Sequence, residues 1–313
     1  MTPPRFVFPA ILLISSAAIG YEILLMRLLS IVQWHHFAYM IISLALLGYG
    51  ASGTLIAIGK GFLEPRFAYA FATSGLMFGL AMVVCFAIGQ RVPFNALEVV
   101  WNPRQLLYLS AIYLVFFVPF FFAATCIGLA LTCFRSEISR LYLFDLLGAG
   151  IGAFLIIAAL FMLSPQDALK LLAILALAAS ALVTCDFDKR LIIVHGACVA
   201  VVLFALPQGW LEFRISPFKG LSQALEVIDN TVLDQHSNPL GLVTVVKSPT
   251  IPFRDAPGLS LGTRSEPPEQ LALFTDGDAM SVITRYDGNL ESLGYMKDVT
   301  RFSFSAPAAA PTC

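Results

Sequence analysis

The chain has 313 residues, a net charge of −1, 58% apolar residues and only 12% charged ones. Soluble domains average roughly half apolar and a quarter charged, so the balance points to a multi-pass membrane protein. A near-neutral charge excludes the basic footprint of a nucleic-acid binder, and six cysteines without a C-x-x-C pair give no zinc or redox signature.

The first apolar stretch, Phe6 to Val32, is long enough to cross a bilayer, for which about 20 residues suffice. It also carries Glu22 and Arg27, each costing on the order of 3 kcal/mol at the bilayer centre. Apolar length marks seven spans in all, at 6–32, 36–59, 67–89, 106–134, 141–163, 168–185 and 190–207. The fourth contains Pro119, and the sixth begins with Asp167 and Lys170. Residues 90–105 read as an interfacial loop. Gly48 with Ser52, Gly75 with Gly79, and Gly148 with Gly152 have the four-residue spacing that lets helix backbones approach closely.

With the amino terminus inside, the inner segments carry seven Lys or Arg and the outer ones three or four, counting Arg27 near an outer helix end. The positive-inside bias therefore places the amino terminus in the cytoplasm of an inner-membrane protein. After Pro207 the composition turns polar. Thr231–Gln235, Leu240–Lys247 and Leu271–Thr275 read as strands, the third ending at the turn Asp276-Gly277. Asn289 to Thr300 reads as a short helix, and 301–313 as a disordered tail. The expected fold is mainly α, a bundle of about seven spans over 1–208 followed by a small β-rich domain over 209–300.

Five residues stand out as candidate sites. Glu22 and Arg27 lie about 140° apart around a helix and so do not pair directly. Glu22 needs another partner, such as His35, His36, a hydroxyl or a proton of its own, and Arg27 can snorkel to the interface. Asp145, early in the fifth span, is favoured by the helix amino terminus and by nearby Arg140. Asp276 and Asp278 are carboxylates on either side of Gly277 at a tight turn in the polar part. His195 is a packing residue on an apolar face. His35 and His36 point in different directions, and no metal site is expected.

Several of these stretches together resemble the bacterial membrane-fused spermidine synthase-like proteins. They are Tyr21-Glu22 leading to Arg27-Leu28-Leu29-Ser30, the run Leu47-Gly48-Tyr49-Gly50-Ala51-Ser52-Gly53, and the fifth span from Leu141 to Gly152. Beyond the bundle, Ser216-Pro217-Phe218-Lys219, Leu240-Gly241-Leu242-Val243-Thr244-Val245 and Leu273-Phe274-Thr275-Asp276-Gly277-Asp278 are similar to the small β-domain of polyamine aminopropyltransferases. The resemblance implies transfer of an aminopropyl group from decarboxylated S-adenosylmethionine to a polyamine, with the cofactor held by a following Rossmann-like domain. The chain departs from that pattern. Lys219 stands where relatives often carry a substrate-touching glutamine, Met296-Lys297-Asp298 follows Tyr295, and no glycine-rich strand–turn–helix follows Ser216. The expectation is a chain inactive alone, holding no cofactor, whose partners are the bilayer and either a separately encoded catalytic domain or a second copy. The alternative is a small-molecule transporter or membrane scaffold using Glu22 and Asp145.

Overall fold

The computed structural model describes residues 3–34, 37–185, 187, 189–205, 208–260, 263 and 266–299. The chain divides into a helical unit running to Ser216 and a second unit formed by Pro217–His236 and the chain from Leu240 onward.

The helical unit contains α1 (Val7–Val32), α2 (Ala38–Leu63), α3 (Phe67–Gly89), α4 (Arg104–Cys133), α5 (Ile138–Ala159), α6 (Pro165–Thr184) and α7 (Lys189–Ala200), with a π-type extension at Val201–Ala205. Among the described residues, five apolar helical runs are long enough to cross a membrane. One of them, Tyr39–Gly89, is 51 residues long and joins α2 to α3 through the 3₁₀ turn Glu64–Arg66. The Lys189–Ala205 stretch is shorter, so the five runs differ from the seven separate spans read by apolar length alone.

Local chemistry sets the helix ends. Ser164 caps α6 by accepting from Asp167 N–H at 3.2 Å, Pro165 occupies the first turn, and Lys170 pairs with Asp167 at 2.9 Å. The acidic and basic residues that weaken this span as an apolar segment are thus its start signal. α4 runs through Pro119 without a break in its assignment.

α1 is the centre of the bundle, packed against α5 and α6 and also against α2 and α4. It is buried on most sides, whereas α5 buries only Leu141, Gly148, Gly152 and Ile156. Leu143, Leu146, Leu147, Ile151 and Phe154 of α5 stay exposed, an apolar helix face of the kind that meets a membrane or another protein. The small residues lie at the closest approaches. A Cβ on Gly148 would stand 2.3 Å from Leu12 O, and one on Gly152 2.2 Å from Ser16 O. Gly48 meets Phe120 of α4 in the same way, and Gly75 and Gly79 meet Ser180 and Ala173 of α6.

In the second unit a short helix α8 (Gly220–Leu225) precedes four strands, β1 (Thr231–Ser237), β2 (Leu242–Lys247), β3 (Gln270–Thr275) and β4 (Ala279–Thr284). They form an antiparallel meander in the order β1-β2-β3-β4. Leu242, Thr244 and Val246 alternate inward on β2, as do Gln270, Ala272 and Phe274 on β3. A 3₁₀ segment, Leu290–Asp298, follows where a short helix is expected, with Asn289 accepting from Glu291 N–H at its start. The 301–313 tail and His35 and His36 lie outside the described residues.

Candidate functional site

Glu22 and Arg27 are separated on α1 as their spacing requires. Glu22 is half-buried, while Arg27 is only 8% exposed and donates from Nη1 to Ser30 Oγ at 3.0 Å. Ser30 in turn donates to Arg27 O at 2.8 Å, so the two side chains close a local contact near the end of α1.

Asp145 accepts from Ser15 Oγ of α1, a residue 130 positions away. Arg140 does not take that role. It pairs with Glu137 at 3.3 Å and lies over the Phe8 ring at 4.6 Å. Ser15 and Glu22 are seven residues apart and therefore on one face of α1. Tyr49 of α2, itself 43% exposed, lies within electrostatic range of both Asp145 and Glu22. Three helices thus bring Ser15, Glu22, Tyr49 and Asp145 into one polar neighbourhood among apolar side chains. It can exchange protons or attract a cation. Tyr49, which sequence reasoning did not single out, belongs to it; its only signal was a polar ring inside an apolar run.

A second polar contact joins three other helices. Ser180 Oγ of α6 lies 2.6 Å from Ala72 O of α3 and 2.7 Å from His195 Nε2 of α7, and His195 Nδ1 lies 2.7 Å from Leu191 O. Ser180 is fully buried and His195 4% exposed. The histidine therefore does more than fill space. Among the described residues no group of three or more His, Cys, Asp or Glu side chains could hold a metal ion, and Cys85, Cys126, Cys133, Cys185 and Cys198 are free thiols.

In the second unit the two aspartates have different settings. Asp276 has φ +52° and Gly277 φ +73°, the left-handed backbone that turns the chain between β3 and β4. Asp276 Oδ1 accepts from Leu242 N–H at 2.8 Å, and its own N–H donates to Leu242 O at 2.8 Å. Lys219, only 1% exposed, donates to Asp276 O at 2.6 Å. Asp276 therefore holds the turn to β2, while Asp278 is exposed. A cavity of about 470 Å3 elsewhere in this unit is lined by Asp255, Pro257, Val282, Thr284, Tyr295 and Lys297.

No family model, curated protein or solved structure matches the chain.

Proposed function

We propose that this chain is an integral protein of the cell inner membrane that supplies the membrane bundle and β-rich unit of a spermidine synthase-like transferase. The reaction moves an aminopropyl group from decarboxylated S-adenosylmethionine to a polyamine amine, and a Rossmann-like domain outside residues 1–313 binds that cofactor. The observation that carries this reading is the order of parts. A central helix bearing Tyr21, Glu22 and Arg27 is followed by a meander whose β3–β4 turn is Asp276-Gly277-Asp278. The acceptor amine is a cation until it loses a proton, so exposed Asp278 is the better substrate-attracting group, and Asp276 serves it by fixing the turn.

In this reading the bundle crosses the membrane seven times. A straight 51-residue helix would be about 77 Å long, far beyond a hydrocarbon core of about 30 Å, so the chain reverses at Glu64-Pro65-Arg66. Lys189–Ala205 extends for about 25 Å and makes the last crossing with interfacial help. The purified chain, given labelled decarboxylated cofactor and putrescine, is expected to form no spermidine. Product from these residues alone would overturn the division of labour.

A second reading, a transporter or scaffold, is favoured by the Ser15–Glu22–Tyr49–Asp145 neighbourhood. Carboxylates inside an apolar bundle are a default mark of ion or substrate paths. Uptake of a cationic substrate into vesicles, abolished in Glu22→Gln with the fold intact, would select this reading over the transferase.

A further inference from the structure

Between α2 and α4, near the end of the bundle where α2 finishes, lies an open groove of about 380 Å3. Its walls are Gly53, Ile56, Ala57 and Gly128, and Lys60, Thr132 and Arg135 stand at one end. The volume is at the lower end of ordinary ligand sites, which hold about 300–1,000 Å3. The groove is apolar along its length and cationic at its mouth.

The charges at the mouth are incompletely answered by the protein. Lys60 meets Glu64 only at 3.6 Å, with both side chains substantially exposed. Glu137, the carboxylate nearest in sequence to Arg135, is engaged by Arg140 at 3.3 Å. Among the described residues Arg135 makes no ion pair, and it begins the 3₁₀ turn that follows α4. Thr132 donates its hydroxyl proton to Gly128 O at 2.7 Å, so recognition of an anion falls to the two cations. A guanidinium can bind phosphate through two parallel hydrogen bonds, and an ammonium adds a point charge beside it.

The floor is open for a reason visible in the glycines. A Cβ on Gly53 would meet nothing within 4 Å, whereas one on Gly128 would meet Ile56 Cδ1 at 2.7 Å. Gly128 therefore lets α2 and α4 approach, and Gly53 leaves a channel beside them. An unbranched hydrocarbon chain fits an apolar channel leading from a cationic mouth at a helix end.

We infer that this groove binds one anionic phospholipid, with its phosphate on Lys60 and Arg135 and the upper part of one acyl chain along Gly53, Ile56, Ala57 and Gly128. The inference rests on the chain being membrane-embedded and is independent of its enzymatic role. Basic pockets between membrane helices recognise anionic headgroups by this combination of charge and depth.

The test uses the full chain, extracted from membranes, stripped of lipid and returned to nanodiscs of phosphatidylcholine containing increasing phosphatidylglycerol of the same acyl chains. Native mass spectrometry should show one phosphatidylglycerol retained per chain, and the melting temperature should rise with its mole fraction. The Lys60→Gln/Arg135→Gln variant should weaken retention by about tenfold or more. Gly53→Leu should block it by filling the channel, with melting in pure phosphatidylcholine unchanged for both variants. Equal retention of the two lipids, or wild-type retention by the charge variant, would mean boundary lipid only and overturn the site. Displacement of the lipid by millimolar glycerol phosphate would also overturn it, by identifying a free-phosphate site. A chain-to-chain dimer lost in Gly53→Leu would reassign the groove to a second copy. Recovery of the chain in the soluble fraction would sink the membrane reading itself, a failure distinct from all of these.

Discussion

Glu98, in the connection between α3 and α4, accepts from Asn102 Nδ2 at 3.1 Å, Asn95 Nδ2 at 3.0 Å and Gln105 Nε2 at 3.0 Å. These bonds, that from Asn102 foremost, hold its carboxyl below the usual carboxylate range. A depressed folded value means the stabilisation is fully present above the ordinary Glu value near about 4.3 and is lost as pH falls through the lower folded value. The protection of the Asn95 and Leu97 amides, taken relative to their intrinsic exchange at each pH, should therefore fall at acid pH in the wild type, and Glu98→Gln should flatten that dependence. A profile unchanged by the substitution would remove the carboxylate from the account. At Ser180 the argument is proton inventory. Leu191 O and Ala72 O can only accept, so His195 Nδ1 donates to the first and Ser180 Oγ to the second, and Ser180 Oγ is also the hydrogen-bond neighbour of His195 Nε2. Ser180→Ala strips a buried ring nitrogen of its partner and should destabilise by about 1–3 kcal/mol. Adding His195→Leu should cost less than the sum of the two single changes, as measured by thermal melts in detergent. Neither this pair nor Ser15 with Asp145 was legible in the sequence. Spacing rules join residues along one helix, and these partners sit on different ones.

Helices α1 and α5 depend on two glycines facing backbone. At Gly148 a Cβ would stand 2.3 Å from Leu12 O, and main chain cannot yield as a side-chain tip can. Gly148→Ala or Gly152→Ala should therefore lower stability by about 1–3 kcal/mol through overpacking. Gly150, on the same helix with nothing within 4 Å of its Cβ, is the control. Gly150→Ala should be neutral or stabilising by up to about 1 kcal/mol, since alanine is the better helix former. Equal melting temperatures for the three variants would show that close backbone approach does not hold these helices. The small-residue pairs were readable beforehand because a four-residue repeat in an apolar helix has a single geometric use. The partner helices were not readable, since nothing in Gly148 or Gly152 names Leu12 or Ser16. Long helices were visible for the same reason of scale: an apolar run of 20 residues needs no tertiary help to declare itself. Their number was harder, because the short charged link Glu64-Pro65-Arg66 leaves α2 and α3 one continuous helical run. In the second unit Leu242, Thr244 and Val246 of β2 follow the period of two that a strand imposes, but nothing in the sequence says which face is inward. The edge strand β4, Ala279–Thr284, was passed over because Met280, Ser281 and Ile283 do not alternate cleanly by polarity. Six-residue α8 is too short to show a helical period.

For the whole molecule the decisive geometry lies where the chain leaves the bundle. Gln90, just after α3, donates from Nε2 to Trp210 O at 2.9 Å and accepts from Arg214 N–H at 3.2 Å. Ser216 N–H donates to Val32 O, the last residue of α1, at 3.0 Å. Residues 210–216 therefore sit at the end of the bundle where α1 finishes, opposite the end where Val7 starts it. The last helical segment, Lys189–Ala205, makes that passage along the bundle. Reporter fusions after Lys60, Arg140 and Lys189 should report one side of the membrane, and a fusion after Lys219 the other. The sign separates the two functional readings: the positive-inside bias puts the ends carrying Lys60, Arg66, Arg135 and Arg140 in the cytoplasm, whereas the transferase reading requires Lys219 there. A Lys219 fusion reporting outside would select the transporter or scaffold reading, since a transferase using a cytoplasmic adenosyl cofactor needs these residues on the cytoplasmic side. A cytoplasmic Lys219 with external Lys60 would reverse the charge argument and favour the transferase. Both on one side would mean that Lys189–Ala205 does not cross, and the hydrogen bonds from Gln90 and Val32 to the 210–216 stretch would then be absent in the membrane. Cysteine labelling of Gln90→Cys and Arg214→Cys variants from each side checks that last point, because the geometry requires the two positions to become accessible together.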